Sequence, residues 1–306
     1  MTTTRAEFDQ LSEAYADARF SPEATVQEMR EAFAEGAVPA PTGVTATHRD
    51  LGGRPAIELR PDGAGDGILL YLHGGGYVIG SAETGVGMAA GLAVRTGTTA
   101  YSLDYRLAPE HRFPAAVDDA LAAYADLVER HGADRLLLAG DSAGGGLAVA
   151  TLIAAREAGL EMPVATAVFS PQTDLTLSGT SFTTRDGDDP LFHPDDIAAY
   201  GRRYLPEHDP GDAARSPLAS PVFADLSGLP PLLIQVGSRE LLHDDALRLA
   251  VNAAHADVDV TLESAARAPH NYQTAVGRLA AADRALDRAG VFLAERLEEH
   301  VVVPTA

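Results

Sequence analysis

The stretch Leu136-Leu137-Leu138-Ala139-Gly140-Asp141-Ser142-Ala143-Gly144-Gly145-Gly146 opens on four apolar residues, turns at a serine set between glycines, and runs on into Leu147-Ala148-Val149-Ala150. The apolar run reads as a buried strand and the segment 147–158 as a helix, so Gly-x-Ser-x-Gly falls in a strand-turn-helix frame. A serine on so sharp a turn is held in a strained backbone conformation. Its neighbours two positions away must lack side chains if strand and helix are to approach each other. The hydroxyl then lies at a helix N-terminus, where free N–H groups and the dipole favour developing negative charge. Ser142 is the candidate nucleophile. Glycine and serine also build ordinary turns, and glycines before a helix also cradle phosphate. A Walker loop is excluded, because all 23 basic residues are arginines and the chain has no lysine.

Around this turn the pattern alternates. Short apolar runs at Ala56-Ile57-Glu58-Leu59, Ile68-Leu69-Leu70-Tyr71-Leu72, 98–103, 164–169, 232–236 and 258–262 are separated by helical segments such as 114–131. Continuously apolar strands joined by helices imply a mostly parallel sheet covered on both faces, an α/β fold. Residues 4–35 have helical spacing interrupted at Ser21-Pro22, and residues 175–230 break the rhythm with Asp, Pro, Ser and Gly clusters around one helix near 195–204. An insertion near the C-terminal edge of such a sheet is expected to cover the ligand crevice. The expected organisation is therefore an N-terminal helical part of a cap (1–40), a first core part (41–174), a cap insertion (175–230) and a second core part (231–306). Residues 301–306 are expected to fray.

Acyl transfer at Ser142 needs an oxyanion site, a base and an acid. His73-Gly74-Gly75-Gly76 directly follows the run 68–72, where backbone N–H groups can face a site with no side chain in the way. Gly74, Gly75 and Ala143 are the expected oxyanion donors, each worth roughly 3–4 kcal/mol. Of the ten histidines, only His243, His255, His270 and His300 follow both the serine turn and the strand at 232–236. His300 is in the C-terminal tail, His255 in a helical pattern and His243 in the acid loop, which leaves His270 as the base, in the loop Ala268-Pro269-His270-Asn271-Tyr272. The segment Gly237-Ser238-Arg239-Glu240-Leu241-Leu242-His243-Asp244-Asp245 offers three carboxylates. Glu240 is nearest the strand end and is taken as the acid, with Asp244 the alternative. Asp244 and Asp245 also suit the first turn of a helix over 244–254. One histidine beside two aspartates lacks metal-ligand spacing, so no metal is expected.

The net charge of −21 opposes nucleic acid and anionic membrane surfaces and favours small neutral substrates. Cysteine is absent, which excludes disulfides and thiolate chemistry. The first residues lead into an acidic amphipathic stretch, and no apolar run reaches membrane-spanning length, so a cytoplasmic location is expected.

His73-Gly74-Gly75-Gly76, Tyr105-Arg106-Leu107-Ala108-Pro109-Glu110, Gly140-Asp141-Ser142-Ala143-Gly144-Gly145 and His270, in this order, resemble the hormone-sensitive-lipase-like family of bacterial esterases, across roughly residues 40–290. The resemblance implies an α/β-hydrolase fold with a helical cap, no cofactor, hydrolysis of small acyl esters and frequent homodimers. It further implies that Arg106 and Glu110 tie the loop carrying Asp104 to the serine turn, and that Asp104, which precedes the serine, is not the acid. The chain departs from the family pattern at Glu240-Leu241-Leu242, where an aspartate before Pro-Leu is usual, and at Asn271-Tyr272, where a small or apolar residue precedes phenylalanine. Amidase, carbamate hydrolase or acyltransferase chemistry would use the same groups, and a non-catalytic receptor would not need all of them.

Overall fold

The computed structural model describes residues 2–21 and 23–301. Pro22, at the expected break, and residues 302–306 of the expected fraying end lie outside the described residues. In chain order the elements are α1 (Thr2–Asp17), α2 (Val26–Glu35), β1 (Val44–Leu51), β2 (Arg54–Pro61), β3 (Ile68–Leu72), α3 (Ala82–Thr96), β4 (Thr99–Leu103) and α4 (Ala115–His131). They continue with β5 (Leu136–Asp141), α5 (Ala143–Glu157), β6 (Ala165–Phe169), α6 (Ser181–Thr184), α7 (Pro194–Tyr204), α8 (Pro210–Arg215), β7 (Leu232–Gly237), α9 (His243–His255), β8 (Val260–Ala265) and α10 (Ala280–Val301).

One eight-stranded sheet runs in the order β1-β2-β4-β3-β5-β6-β7-β8. The β1/β2 and β2/β4 pairs are antiparallel and the others parallel. The apolar strands follow from two-sided burial. Ile68, Leu70 and Leu72 pack with α4, α5 and α9 on one face, while Leu69 and Tyr71 pack with α3 and α10 on the other. With period-two alternation, a strand between two helical layers has no solvent side to mark with polar residues. From β3 the chain steps out to β4, and from β5 it steps the opposite way to β6, so the order reverses between β3 and β5. That reversal opens a crevice at the strands' C-terminal ends.

Among the strands, two differ from the sequence expectation. β1, Val44-Thr45-Ala46-Thr47-His48-Arg49-Asp50-Leu51, is an edge strand with mostly exposed side chains and lacks the apolar run that marks the others. At the other edge, the strand expected at 258–262 runs instead over Val260–Ala265, because Asp257 turns the chain at φ 58 and Val258 is spent packing under α9.

Candidate active site

Ser142 stands between β5 and α5 at φ 51, ψ −121. The turn is held by its neighbours: Ser142 N–H donates to Phe169 O at 2.8 Å, and Ser142 O accepts from Gln172 N–H at 2.9 Å. A Cβ at Gly144 would overlap the backbone carbonyls of Leu72 and His73, so the glycine brings α5 directly against the end of β3. The helix expected over 147–158 accordingly starts earlier, at Ala143.

From there a row of polar atoms runs back into the protein. His270 Nε2 lies 3.0 Å from Ser142 Oγ. His270 Nδ1 lies 2.5 Å from Glu240 Oε2, and Glu240 Oε1 accepts from Ser170 Oγ at 2.8 Å and from the Gly237 N–H at 2.5 Å. Glu240 and His270 are buried, at 0% and 2% exposure, so this pair is shielded from competing water. A carboxylate on Nδ1 fixes the proton there and leaves Nε2 bare toward the serine. Burial of the imidazole disfavours its charged form, but the Glu240 charge and hydrogen bond, with Asp189 and Asp141 adding to them, outweigh burial. The His270 pKa is thereby raised above that of an ordinary histidine.

Asp244 and Asp245 are elsewhere. Asp244 accepts from Thr180 Oγ1 and Ser181 N–H, whereas fully buried Asp245 accepts from the N–H groups of Thr173 and Asp174. Both lie in the first turn of α9 and bind the segment after β6 to it. His243, His255 and His300 do not approach Ser142 through any hydrogen bond. Among the described residues, no three histidine or acidic side chains converge as a metal site would require.

Of the expected oxyanion donors, Gly74 requires correction. Its N–H already donates to Asp141 Oδ1 at 3.0 Å, so it is committed to a carboxylate. The N–H groups of Gly75, Gly76 and Ala143 meet no acceptor among the described residues. Gly75 has φ 120 and Gly76 φ 60, and a Cβ at Gly76 would run into the Tyr200 ring. The glycine loop is steadied by Tyr105, whose hydroxyl donates to His73 O at 2.7 Å and whose ring stacks on the His73 imidazole at 4.2 Å. Burial holds His73 neutral, with its pKa pushed down to about 4.

An expectation drawn from the family resemblance changes as well. Arg106 pairs with Asp119 of α4, at 2.7 Å, and Glu110 pairs with Arg30 of α2, also at 2.7 Å. These residues tie the loop after β4 to α4 and to the N-terminal arm rather than to the serine turn.

Three contributors were not assigned a role from the sequence, although Asn271 stood out there as a departure from the family pattern. Ser170, at the end of β6, holds the second oxygen of Glu240. Buried Asp189 accepts from Leu241 N–H at 2.8 Å, and from the N–H groups of Leu191 and Phe192. It thereby joins the loop before α7 to the residue after Glu240, and the Phe192 ring stands edge-on to His270 at 5.5 Å. Asn271 donates to Asp141 Oδ2 at 2.7 Å. Each partner is far away in the chain, so only a motif of the whole fold could have pointed to it.

Ser142, His270 and the glycine loop face a cavity of about 830 Å³. Its other walls are α1 and α2, through Leu11, Tyr15, Met29 and Phe33, and the α7 region, through Phe192, Ile197 and Tyr200. A volume of this order suits a drug-sized ligand. The walls are mostly apolar, and of the charged side chains on them Arg19 is paired with Asp196, which suits an uncharged ligand.

A sequence model of the family described as alpha/beta hydrolase fold matches residues 69–274. The chain is 44% identical over 265 residues to an acetyl-hydrolase of Streptomyces hygroscopicus, covering 86% of each chain. Among solved structures, it is similar to an esterase of the bacterial hormone-sensitive lipase family, with a TM-score of 0.90 and 39% identity over 95% of this chain and 98% of that one. It is equally similar to the esterase EstE5 in crystals soaked with p-nitrophenyl butyrate, with a TM-score of 0.90 and 38% identity over 95% of this chain and 99% of that one.

Proposed function

The chain belongs to the α/β-hydrolase fold family, among its hormone-sensitive-lipase-like esterases, and from that membership we propose a residue-level account of its carboxylester hydrolysis. Ser142 Oγ attacks the ester carbonyl carbon as His270 Nε2 takes its proton, and Glu240 holds the proton on Nδ1 and stabilises the imidazolium. The N–H groups of Gly75, Gly76 and Ala143 receive the oxyanion. His270 then protonates the departing alcohol, and a water molecule repeats the sequence on the acyl-enzyme to release the acid. The observation that carries this reading is the row Glu240–His270–Ser142, at 2.5 and 3.0 Å, which ends at the cavity beside three uncommitted N–H groups.

Within that reading α1, α2 and the segment 175–230 form the cap. The substrate is a neutral ester with a short acyl group, as the name of the Streptomyces relative suggests, and the rest of the cavity receives the alcohol. No helix among the described residues is long and apolar enough to cross a membrane. A homodimer and a cytoplasmic location belong to the same proposal, and sizing of the purified protein tests the first. Steady-state hydrolysis of p-nitrophenyl acetate, butyrate, octanoate and palmitate, beside the matching anilides, tests the chemistry. Saturable turnover that peaks at short esters and vanishes in Ser142→Ala supports it, whereas turnover no faster than in Ser142→Ala on every ester overturns it.

A further inference from the structure

Asn271 directly follows His270 and has left-handed backbone geometry, at φ 51 and ψ 35. Its polar groups reach opposite sides of the site. The side-chain amide donates to Asp141 Oδ2 at 2.7 Å. The backbone N–H donates to Ser170 Oγ at 3.1 Å, and that hydroxyl donates in turn to Glu240 Oε1. Asp141, immediately before the nucleophile, uses its other oxygen to accept from Gly74 N–H at 3.0 Å and from Tyr71 Oη at 2.5 Å. A continuous chain of hydrogen bonds therefore runs from the glycine loop, through Asp141 and Asn271, to the carboxylate behind His270.

We propose that Asn271 is a positioning residue that locks the histidine loop to the glycine loop through Asp141, so that base and oxyanion donors keep one fixed spacing. The proposal rests on the roles given above to Ser142, His270 and Glu240. The amide can serve only in one orientation, with nitrogen toward the carboxylate, since the reverse would set two acceptors against each other. Its Oδ1 is accordingly turned away, buried and without a partner. Without the amide, Asp141 keeps its hold on Gly74 and Tyr71, but nothing joins it to the loop carrying His270. Misplacement of the base relative to the oxyanion site is felt in the transition state more than in ground-state binding.

Charge makes the idea testable. Tyr71 of β3, Tyr105 after β4 and Tyr15 of α1 face Asp141 from the neighbouring elements, and His270 faces it from its own loop. Burial keeps the three phenols protonated, with the Tyr15 pKa pushed up to about 12 and the other two held well above that of an ordinary tyrosine. Facing His270 are Glu240 after β7 and Asp189 from the segment before α7. An aspartate at 271 would place a second carboxylate against Asp141, and two such groups share one proton readily but resist losing both.

The test is steady-state kinetics of Asn271→Gly and Asn271→Asp on p-nitrophenyl acetate across the range in which histidine titrates, with reactive serines counted by a fluorophosphonate. Glycine keeps the left-handed backbone at no steric cost, so it removes the amide alone. For Asn271→Gly, kcat per titrated serine is expected to fall about ten- to a hundredfold, the worth of one charge-assisted hydrogen bond, with KM within about threefold. Asn271→Asp falls further at high pH, and its rate relative to wild type rises as pH falls, because a shared proton restores the link. A wild-type kcat in Asn271→Gly, or a ratio for Asn271→Asp that does not change with pH, overturns the proposal. Wild-type turnover no faster than Ser142→Ala overturns the underlying esterase reading instead.

Discussion

The two sides of the cavity hold their shape by different means. On the Ser142 side, positions are set by backbone: the turn at φ 51, the close contact of Gly144 with Leu72, and glycine N–H groups at the ends of β3 and β5. On the opposite side, helices are held by side chains: Phe8 of α1 packs against Tyr272, Met29 of α2 joins the main core, and arginines add hydrogen bonds. Arg30 of α2 donates to Val78 O at 2.9 Å and to Ala108 O at 3.0 Å, while Asp9 of α1 accepts from Arg267 at 2.8 Å. Between the N-terminal arm and α7, the ion pair Arg19–Asp196 spans 3.3 Å with both side chains partly exposed. In the proposed reading, chemistry therefore sits on the side set by backbone geometry, and recognition on the side set by side-chain contacts.

This contrast orders the expected effects of substitution. Ser142→Ala should leave the fold intact and lower kcat about 10⁴-fold or more, because the row of groups acts as a unit and only binding and the oxyanion site remain. A variant retaining more than a percent of wild-type turnover would move the nucleophile elsewhere.

Glu240→Gln should cost about 10³- to 10⁴-fold in kcat, since the amide can present its NH₂ to Nδ1 and favour the wrong tautomer. Its pH profile is as informative as its rate. Burial by itself lowers the His270 pKa, and the negative charge of Glu240 does the most to raise it. Because the base must be neutral, wild-type kcat/KM should fall on the acid side with a midpoint above the ~6.5 of an ordinary histidine. With Glu240 neutralised, burial is less opposed and that midpoint should move to lower pH. An unmoved midpoint would mean that a different carboxylate faces His270 in solution.

Gly144→Ala tests the same side without touching a reacting group. The added methyl must displace the Leu72 and His73 carbonyls at the centre of the sheet, so a loss of about 3 kcal/mol or more in unfolding free energy is expected. Urea denaturation measures it. A loss below about 1 kcal/mol would show that the turn relaxes easily and that its rigidity is not backbone-made.

How much of this was legible in the sequence follows the same division. β3 to β7 and the serine turn are local signals, since continuous apolar runs and glycines at fixed offsets record what the backbone must do there. His270 and Glu240 could be named from chain order and their place after strands, and the structure has His270 within 3.0 Å of Ser142 and Glu240 on the other side of that histidine. What could not be read were contacts between distant segments. Asp141 captures Gly74 N–H from 67 residues away, Ser170 reaches Glu240 across 70, Asp189 reaches Leu241 across 52 and Asn271 reaches Asp141 across 130. The motif His73-Gly74-Gly75-Gly76 therefore showed that glycine N–H groups face the site, but not which were already taken. The edge strands were obscured for a simpler reason: β1 carries exposed polar residues and lacks the hydrophobic pattern of a buried strand, and β8 was legible only in its first residues, 260–262, because polar Glu263 and Ser264 end that pattern.

The smallest effect is expected at Arg19. Its partner Asp196 is 45% exposed in the side chain, and a pair so open to solvent contributes less than about 1 kcal/mol. Arg19→Ala should leave kcat on p-nitrophenyl acetate within about twofold of wild type, because a small ester is held mainly by the Ser142 side. Both residues line the cavity, so KM for the octanoate should change more than KM for the acetate. High salt should bring wild type toward the variant, since screening weakens the same contact. If Arg19→Ala instead lost tenfold or more on the acetate, the arm would be part of what holds the reacting groups in place, and the division between a side set by backbone and a side set by side chains would fail.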